Sequence, residues 1–479
     1  MAPLRFAPSR LISPLTNIFR LGLGLGLGLG LGLGLGLGLV GLVAFPTPAQ
    51  AADRAVLDRG AYLARAADCV ACHTKPGGAP FAGGYGIQSP MGVIYSSNIT
   101  PSLTHGIGGW SEAAFSRALR EVVSVSGRRL YPAMPYDSYV GMTDADIHAL
   151  YVYLGSAIAP VETSGGPVTA LRFPYNMRSL MRVWNWLYLD SRRFEPHPGE
   201  TTEQARGRYL VEAVAHCGTC HTPRNFMMAA KSGHKLEGAR VGGWYAPDIA
   251  AGPHGPLAGW RNTDIESYLR TGHARDKGVA AGPMGEAVEH SLRFLTEADL
   301  QAITVYLRQQ DRTATIGKVL HSDMDTARAY QNDSPTDRAV RNQARQERDA
   351  RPGPYADRRN YRDIEDGAAL YMAACASCHQ IDGRGTHDDF YPSLRQSSAV
   401  RSSRPNNLVM TILAGVHRDG ADGPARMSAY RHDLTDQQIA NLVRFVTTEF
   451  ASSPLTPSPA DIAALRRFDT ADFPAQARP

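Results

Sequence analysis

Cysteine is scarce in this chain, six residues in 479, and all six fall into three close pairs. No acidic residue precedes Asp53, so the first fifty residues do not have the make-up of a globular surface. Past Ala52 no apolar stretch approaches the roughly 18 residues that a membrane span needs; the longest, 149–161 and 408–416, fall short. Phosphate-binding loop, dinucleotide fingerprint, nucleophile elbow and zinc-protease motif are all missing, and no side chain suggests itself as catalytic. A strong charge surplus is missing too. Fifty Lys and Arg against forty-five Asp and Glu give +5, which excludes the basic face of a nucleic-acid binder.

The N-terminus accounts for much of that small surplus. Arg5, Arg10 and Arg20 form a basic region, a Leu-Gly alternation runs from Leu21 to Leu39, and Pro46 and Pro48 precede Ala49-Gln50-Ala51. Basic, apolar and small-residue segments in that order make a secretory signal peptide over 1–51, cut before Ala52. The competing reading is an uncleaved anchor, which the alternate glycines weaken because each costs a helix up to ~1 kcal/mol. Cleavage removes three arginines and lowers the net charge to +2. The mature chain is thus expected outside the cytoplasm, with any membrane attachment peripheral.

What is present is one sentence written three times. A short helical pattern leads into each cysteine pair: Gly60-Ala-Tyr62-Leu63 to Cys69, Gly207-Arg-Tyr209-Leu210 to Cys217, and Gly367 through Tyr371 to Cys375. A Gly- and Pro-rich middle follows, then a methionine, then a closing helix opened by Thr143, Thr296 or Thr435 with Asp146, Asp299 or Gln438 three residues on. A threonine so placed takes up a free amide at the helix start. The expected organisation is three helical domains over 52–159, 200–310 and 361–451. Between the first two, 160–199 carries an apolar stripe at Leu180, Met181, Trp184, Leu187 and Tyr188. That stripe reads as a helix packed across two domains or as a docking face. The second linker, 311–360, holds ten Lys/Arg and eight Asp/Glu and reads as extended. A Pro-rich tail fills 452–479, with one amphipathic stretch at Ile462, Leu465 and Phe468.

The pairs read Cys69-Val-Ala-Cys72-His73, Cys217-Gly-Thr-Cys220-His221 and Cys375-Ala-Ser-Cys378-His379. Two thiols three residues apart share one face of a helical turn, so both can add to the vinyl groups on one porphyrin edge. The next histidine then lies under the iron. Zinc is a poor rival, because three pairs do not divide into four-thiolate sites and the histidine spacing is wrong. Disulfides suit an exported chain but do not explain the histidines. Three covalent haems c are expected. For the opposite axial position the methionines of the Gly/Pro-rich loops stand out: Met134 in Ala133-Met134-Pro135, Met284 in Pro283-Met284-Gly285, and Met427 in Arg426-Met427-Ser428. Met142 reads as a helix staple and Met410 as core; His105, His273, His290, His417 and His432 are the bis-histidine alternatives. Trp110 and Trp260 occupy matching places, and Arg117, Arg224 and Arg426 are available to carboxylates.

Several longer strings carry a family resemblance. They are Ile94-Tyr95-Ser96-Ser97-Asn98-Ile99-Thr100-Pro101, Gly106-Ile-Gly108-Gly-Trp110-Ser111, Ala133-Met134-Pro135-Tyr136, Phe173-Pro174-Tyr175-Asn176, and Gly242-Gly243-Trp244-Tyr245-Ala246-Pro247-Asp248-Ile249. Through them the chain resembles, over essentially its whole mature length, the cytochrome c subunits of periplasmic membrane-bound alcohol, gluconate, sorbitol and aldehyde dehydrogenases. The resemblance implies a mainly α fold of three tandem cytochrome c-like domains, with the pairs His73/Met134, His221/Met284 and His379/Met427 on three irons. It implies electrons taken from a quinoprotein or flavoprotein catalytic subunit and passed to ubiquinone at the outer face of the cytoplasmic membrane. Domain three departs from the pattern, with Ala425-Arg426-Met427 where a Met-Pro pair is common. A free-standing periplasmic carrier and a peroxidase-like haem enzyme are the other readings.

Overall fold

Each repeat closes on itself at a glycine. In the computed structural model, which describes residues 48–89, 91–131, 133–250, 256–310, 364–420, 423–451 and 454–468, the opening helix Pro48–Ala66 crosses the closing helix Asp144–Ser156 where Gly60 meets the carbonyl of Ala149. The second repeat repeats this with Thr202–Tyr209 on Glu297–Arg308, Gly207 meeting Ala302. In the third, Gly367–Ala374 crosses Asp436–Phe450 with Gly367 on Asn441. A Cβ on any of the three would overlap that carbonyl, so the crossing distance fixes the residue. Thr143, Thr296 and Thr435 cap the closing helices as their spacing predicts.

The fold is mainly helical. The strands among the described residues are short antiparallel hairpins, such as Gly86–Ser89 with Gly92–Tyr95 and Ala239–Val241 with Trp244–Ala246. The described residues from Pro48 onward pack as one compact unit. Its largest buried cluster joins the first two repeats: Leu63, Leu150 and Leu154 with Tyr209, Leu210, Leu300 and Ile303. A second belongs to the third repeat, around Leu370, Leu413, Ile439 and Val443, and takes in Trp244 from the second. Each such aliphatic side chain contributes about 1.5–3 kcal/mol when fully buried.

The second opening helix widens into a π turn over Leu210–Val214. One residue more separates Gly207 from Cys217 than Gly60 from Cys69, and a π turn is how a helix takes up a single insertion.

Between repeats one and two the apolar stripe forms the helix Leu180–Tyr188. Its Trp184 is buried, donates from its indole nitrogen to the Met227 carbonyl at 2.9 Å, and stacks near Tyr136. Around it Leu180, Val183, Trp186 and Leu187 stand exposed, with Trp186 82% exposed. The tail stretch behaves differently: in the helix Pro459–Arg466, Ile462 and Leu465 are buried in the third core and Phe468 packs against it. Its apolar stripe faces inward and offers no surface. Residues 1–47 of the signal peptide expected over 1–51 and the charged linker expected over 311–360 lie outside the described residues, and the helix Pro48–Ala66 runs through the expected cleavage point. No helix of the described residues is long and apolar enough to cross a membrane.

Candidate functional site

Each cysteine pair spans a single helical turn: Cys69–Cys72 itself, and Gly218–His221 and Ala376–His379 with Cys217 and Cys375 at their N-caps. All six cysteines are free and partly buried. Burial pushes the thiols of Cys69, Cys72, Cys217 and Cys375 up to about 12, and that of Cys220 upward. No cluster of three or more His, Cys, Asp or Glu forms a metal site among the described residues.

The histidines are held in one way three times. His73 Nδ1 lies 2.7 Å from the carbonyl oxygen of Ser97, His221 Nδ1 2.7 Å from that of Pro247, and His379 Nδ1 3.0 Å from that of Pro392. A carbonyl only accepts, so Nδ1 carries the hydrogen and Nε2 keeps its lone pair. Burial lowers the pKa of all three rings, against the opposing pull of the carbonyl bond, and keeps them neutral. A neutral imidazole with Nε2 free and Nδ1 anchored is an oriented axial ligand.

The loop below each histidine is built to deliver that carbonyl. Gly83, Gly238 and Gly385 each donate their amide to the carbonyl of the motif histidine, at 2.7, 2.7 and 3.1 Å. All three have φ between +69° and +82°, a region where a side chain is strained. In the first repeat the buried Asn98 fixes the loop further, donating to the carbonyls of Val161 and Thr163 and accepting from Thr100. The strings Ser97-Asn98 and Ala246-Pro247 stand out in the sequence, but their role as carbonyl carriers needs the fold. Pro392 has no such signal.

The methionines are placed less uniformly. Met134 lies in a bend ahead of Pro135 and packs, half-buried, on the shared core. The loop expected around Met284 is instead the first turn of a helix, Gly282–His290, with Pro283 pre-setting its start; Met284 packs on the shared core too. The loop expected around Met427 is the end of a strand, Met427 pairing with Val416. Met142 and Met410 are buried, as a staple and a core residue should be. Among the alternative histidines, His273 Nε2 pairs with Asp389 at 3.2 Å. Arg224 bonds the carbonyls of Met228 and Thr219, and Arg426 pairs with Asp419.

Between the first two motifs lies a buried polar seam that sequence reasoning passed over. The Tyr139 hydroxyl donates to the Ala67 carbonyl at 2.8 Å and its ring meets His216 edge-on at 5.6 Å. Ser291 Oγ donates to the Ala66 carbonyl at 3.1 Å. Burial, and then the neighbouring Glu286, push the Asp68 carboxyl well above the usual range. Each residue comes from a different repeat than its partner or from a chain-distant helix, so no local pattern marks them.

Comparison with known proteins gives a consistent answer. Residues 364–449 match the cytochrome c family. The chain is 42% identical over 427 residues to the fructose dehydrogenase cytochrome subunit of Gluconobacter japonicus, covering 86% of this chain and 83% of that one. It is 34% identical to the gluconate 2-dehydrogenase cytochrome c subunit of Pantoea cypripedii, over 88% and 91% of the two chains. It is 34% identical again to the cytochrome c subunit of the quinone alcohol dehydrogenase of Gluconacetobacter polyoxogenes, over 89% and 87%.

Proposed function

This chain belongs to the family of cytochrome c subunits of dehydrogenases, an electron-transfer subunit carrying haem c, and from that premise we propose that it is a three-haem relay between a catalytic subunit and membrane ubiquinone. The haems are bound through Cys69/Cys72, Cys217/Cys220 and Cys375/Cys378, in three domains over 52–159, 200–310 and 361–451. The iron ligands are His73 and Met134, His221 and Met284, and His379 and Met427. The partner is a quinoprotein or flavoprotein dehydrogenase, and the work is done in the periplasm on the outer face of the cytoplasmic membrane.

The observation that carries the reading is the threefold histidine–carbonyl bond, repeated beside three cysteine pairs. Those residues fit haem c: two thiols to be consumed as thioethers, and one oriented nitrogen lone pair. When bound, the haem supplies one-electron transfer without bond rearrangement. The chain's own residues do the rest. The thioethers fix each cofactor in place, the carbonyl bond of each histidine fixes its tautomer and makes Nε2 a stronger donor, and the methionine sulfur fills the remaining position. With both positions filled, a peroxidase-like reaction has no site.

Membrane attachment is supported by one surface. Phe173, Tyr175, Met177, Leu180, Val183, Trp186 and Leu187 stand exposed together in sequence, with Arg172 and Arg182 among them. Apolar side chains flanked by cations suit an anionic lipid surface, and a quinone-reducing subunit must reach one.

The test uses the purified full chain. It should hold three haems resistant to acid-acetone and oxidise no alcohol, aldehyde or sugar acid by itself. It should reduce a ubiquinone analogue once a cognate dehydrogenase is added. Substrate turnover by the isolated chain would make it an enzyme, and failure to reduce quinone with any dehydrogenase would make it a free-standing carrier.

A further inference from the structure

Arg418 is the most deeply buried cation at the junction of the second and third repeats, 4% exposed, and it belongs to one repeat while serving the other. It stands on the strand Val416–Gly420 of the third repeat. Its Nη1 donates to the Ala280 carbonyl of the second repeat at 2.6 Å, shortly before Met284. Gly272, with φ +71°, lets the guanidinium lie against the backbone; a Cβ there would strike it. The backbone is shaped for this side chain.

No ion pair answers the charge among the described residues. Arg418 Nε is buried without a hydrogen-bond partner. Among the described residues no carboxylate lies within ion-pair range of it. Asp419, next in sequence, is taken by Arg426. Tyr268 lies beside it, and burial pushes that phenol up to about 12, so it is neutral. Glu289 acts on it electrostatically without making an ion pair, and burial raises that carboxyl against the pull of Arg293, Arg418 and Arg426. A buried cation with one carbonyl bond is unstable unless an anion completes it. The first repeat offers a weaker parallel: Arg178, from the segment that follows, donates to the Arg129 carbonyl at 2.7 Å shortly before Met134, and its guanidinium covers the Tyr131 ring at 3.9 Å.

We propose that Arg418, supplied by the third repeat, is the counter-ion and hydrogen-bond donor of a carboxylate on the haem held by the second repeat, and that it raises that haem's potential. The proposal rests on the haem reading above. A propionate brings the missing negative charge, and the fork of Nε and Nη donors suits a carboxylate. A fixed cation in a poorly screened site disfavours the ferric state, which carries one more positive charge than the ferrous. Docking of the third repeat therefore tunes the second.

The test is a spectroelectrochemical titration of the full holoprotein and its Arg418→Gln and Arg418→Lys variants. Haem content, counted separately as the pyridine complex, tests the haem reading; the midpoints test Arg418. Arg418→Gln should keep three haems and lower one midpoint by about 59 mV, a tenfold change in a one-electron constant. Arg418→Lys should lower the same midpoint by less. The affected haem should be the one that Met284→Ala opens to carbon monoxide. Three unchanged midpoints, an equal shift of all three, or a shift confined to the haem that Met427→Ala opens would each overturn the proposal. Should Arg418→Gln not accumulate with haem, Arg418→Lys decides alone by the same criterion.

Discussion

Tyr62 and Tyr209 do the same work in opposite directions, and among the described residues the next junction shows no such mirrored pair. Tyr62, on the opening helix of repeat one, donates to Asp299 at the start of the closing helix of repeat two and accepts from the Thr296 amide. Tyr209, on the opening helix of repeat two, donates to Asp146 and accepts from Thr143 in repeat one. Both carboxylate bonds are 2.5 Å and both amide bonds 3.2 Å. Each aspartate is also held by an arginine of its own repeat, Arg59 or Arg206. This is the self-complementary pattern of a twofold dimer, drawn within one chain. The junction of repeats two and three uses unlike parts. Asn407 makes a pair of 2.9 Å bonds with the backbone of Tyr245, Asn406 bonds the Gly243 carbonyl, Ser398 donates to the Lys277 carbonyl, and Trp244 is buried in the third core. Two repeats thus pair as equals, and the third is seated on a hairpin and a helix start of the second. A seat can act on what it covers, as Arg418 does; a symmetric joint has no such direction.

The comparison can be broken at several points. The largest effect is expected from Trp244→Ala, at roughly 3–5 kcal/mol for a buried tryptophan. It should unfasten the third repeat as a separate, lower-temperature calorimetric transition while the paired repeats melt as before. One unsplit transition moving as a whole would mean the two junctions are not independent.

Next come the helix crossings. Gly207→Val drives a side chain into the Ala302 carbonyl, overpacking by roughly 3 kcal/mol, and because repeats one and two share a core it should disturb both. Gly367→Val should disturb the third alone. Haem absorbance followed during thermal unfolding reads the difference: about two-thirds of the change should move in the first variant and one-third in the second.

How much of this was open to the sequence depended on range. The Thr143, Thr296 and Thr435 caps and the cysteine–histidine motifs are written within a few residues and are legible. Tyr62 and Asp299 lie 237 residues apart, and a tyrosine in a helix says nothing of a carboxylate in another repeat. The strand carrying Met427 hides for a related reason, since Val-His-Arg-Asp-Gly has no apolar alternation and becomes a strand only by pairing with Gly423–Met427. Ile462 and Leu465 were legible as a stripe but not as to what they face.

A smaller effect tests the symmetry itself. Tyr62→Phe and Tyr209→Phe each remove a hydrogen bond to a charged carboxylate, about 1.5–3 kcal/mol. The two should lose the same amount by chemical denaturation. Unequal losses beyond error would show that the twofold likeness is one of shape without shared energetics.

The smallest effect is in acid. Burial acts to raise the Asp299 pKa, but the hydrogen bonds from Arg206 and Tyr62 outweigh it and leave the carboxyl below its ordinary value. A depressed pKa means stability that is complete above the unfolded value, about 3.9, and lost as pH falls through the folded one. The paired repeats should therefore show no Asp299-dependent change from pH 5 to 8. Below pH 4 the difference between the native chain and Asp299→Asn should close.

The π turn at Leu210–Val214 has an evolutionary reading. An inserted residue in an α-helix turns everything after it by about 100°, which here would carry either Gly207 off Ala302 or the cysteine pair away from its histidine's carbonyl. The wide turn takes the extra residue between those two fixed points, so both keep their partners. Descendant chains are free to gain or lose a residue in that turn and nowhere else along the helix. Length variation among relatives should therefore collect at this spot.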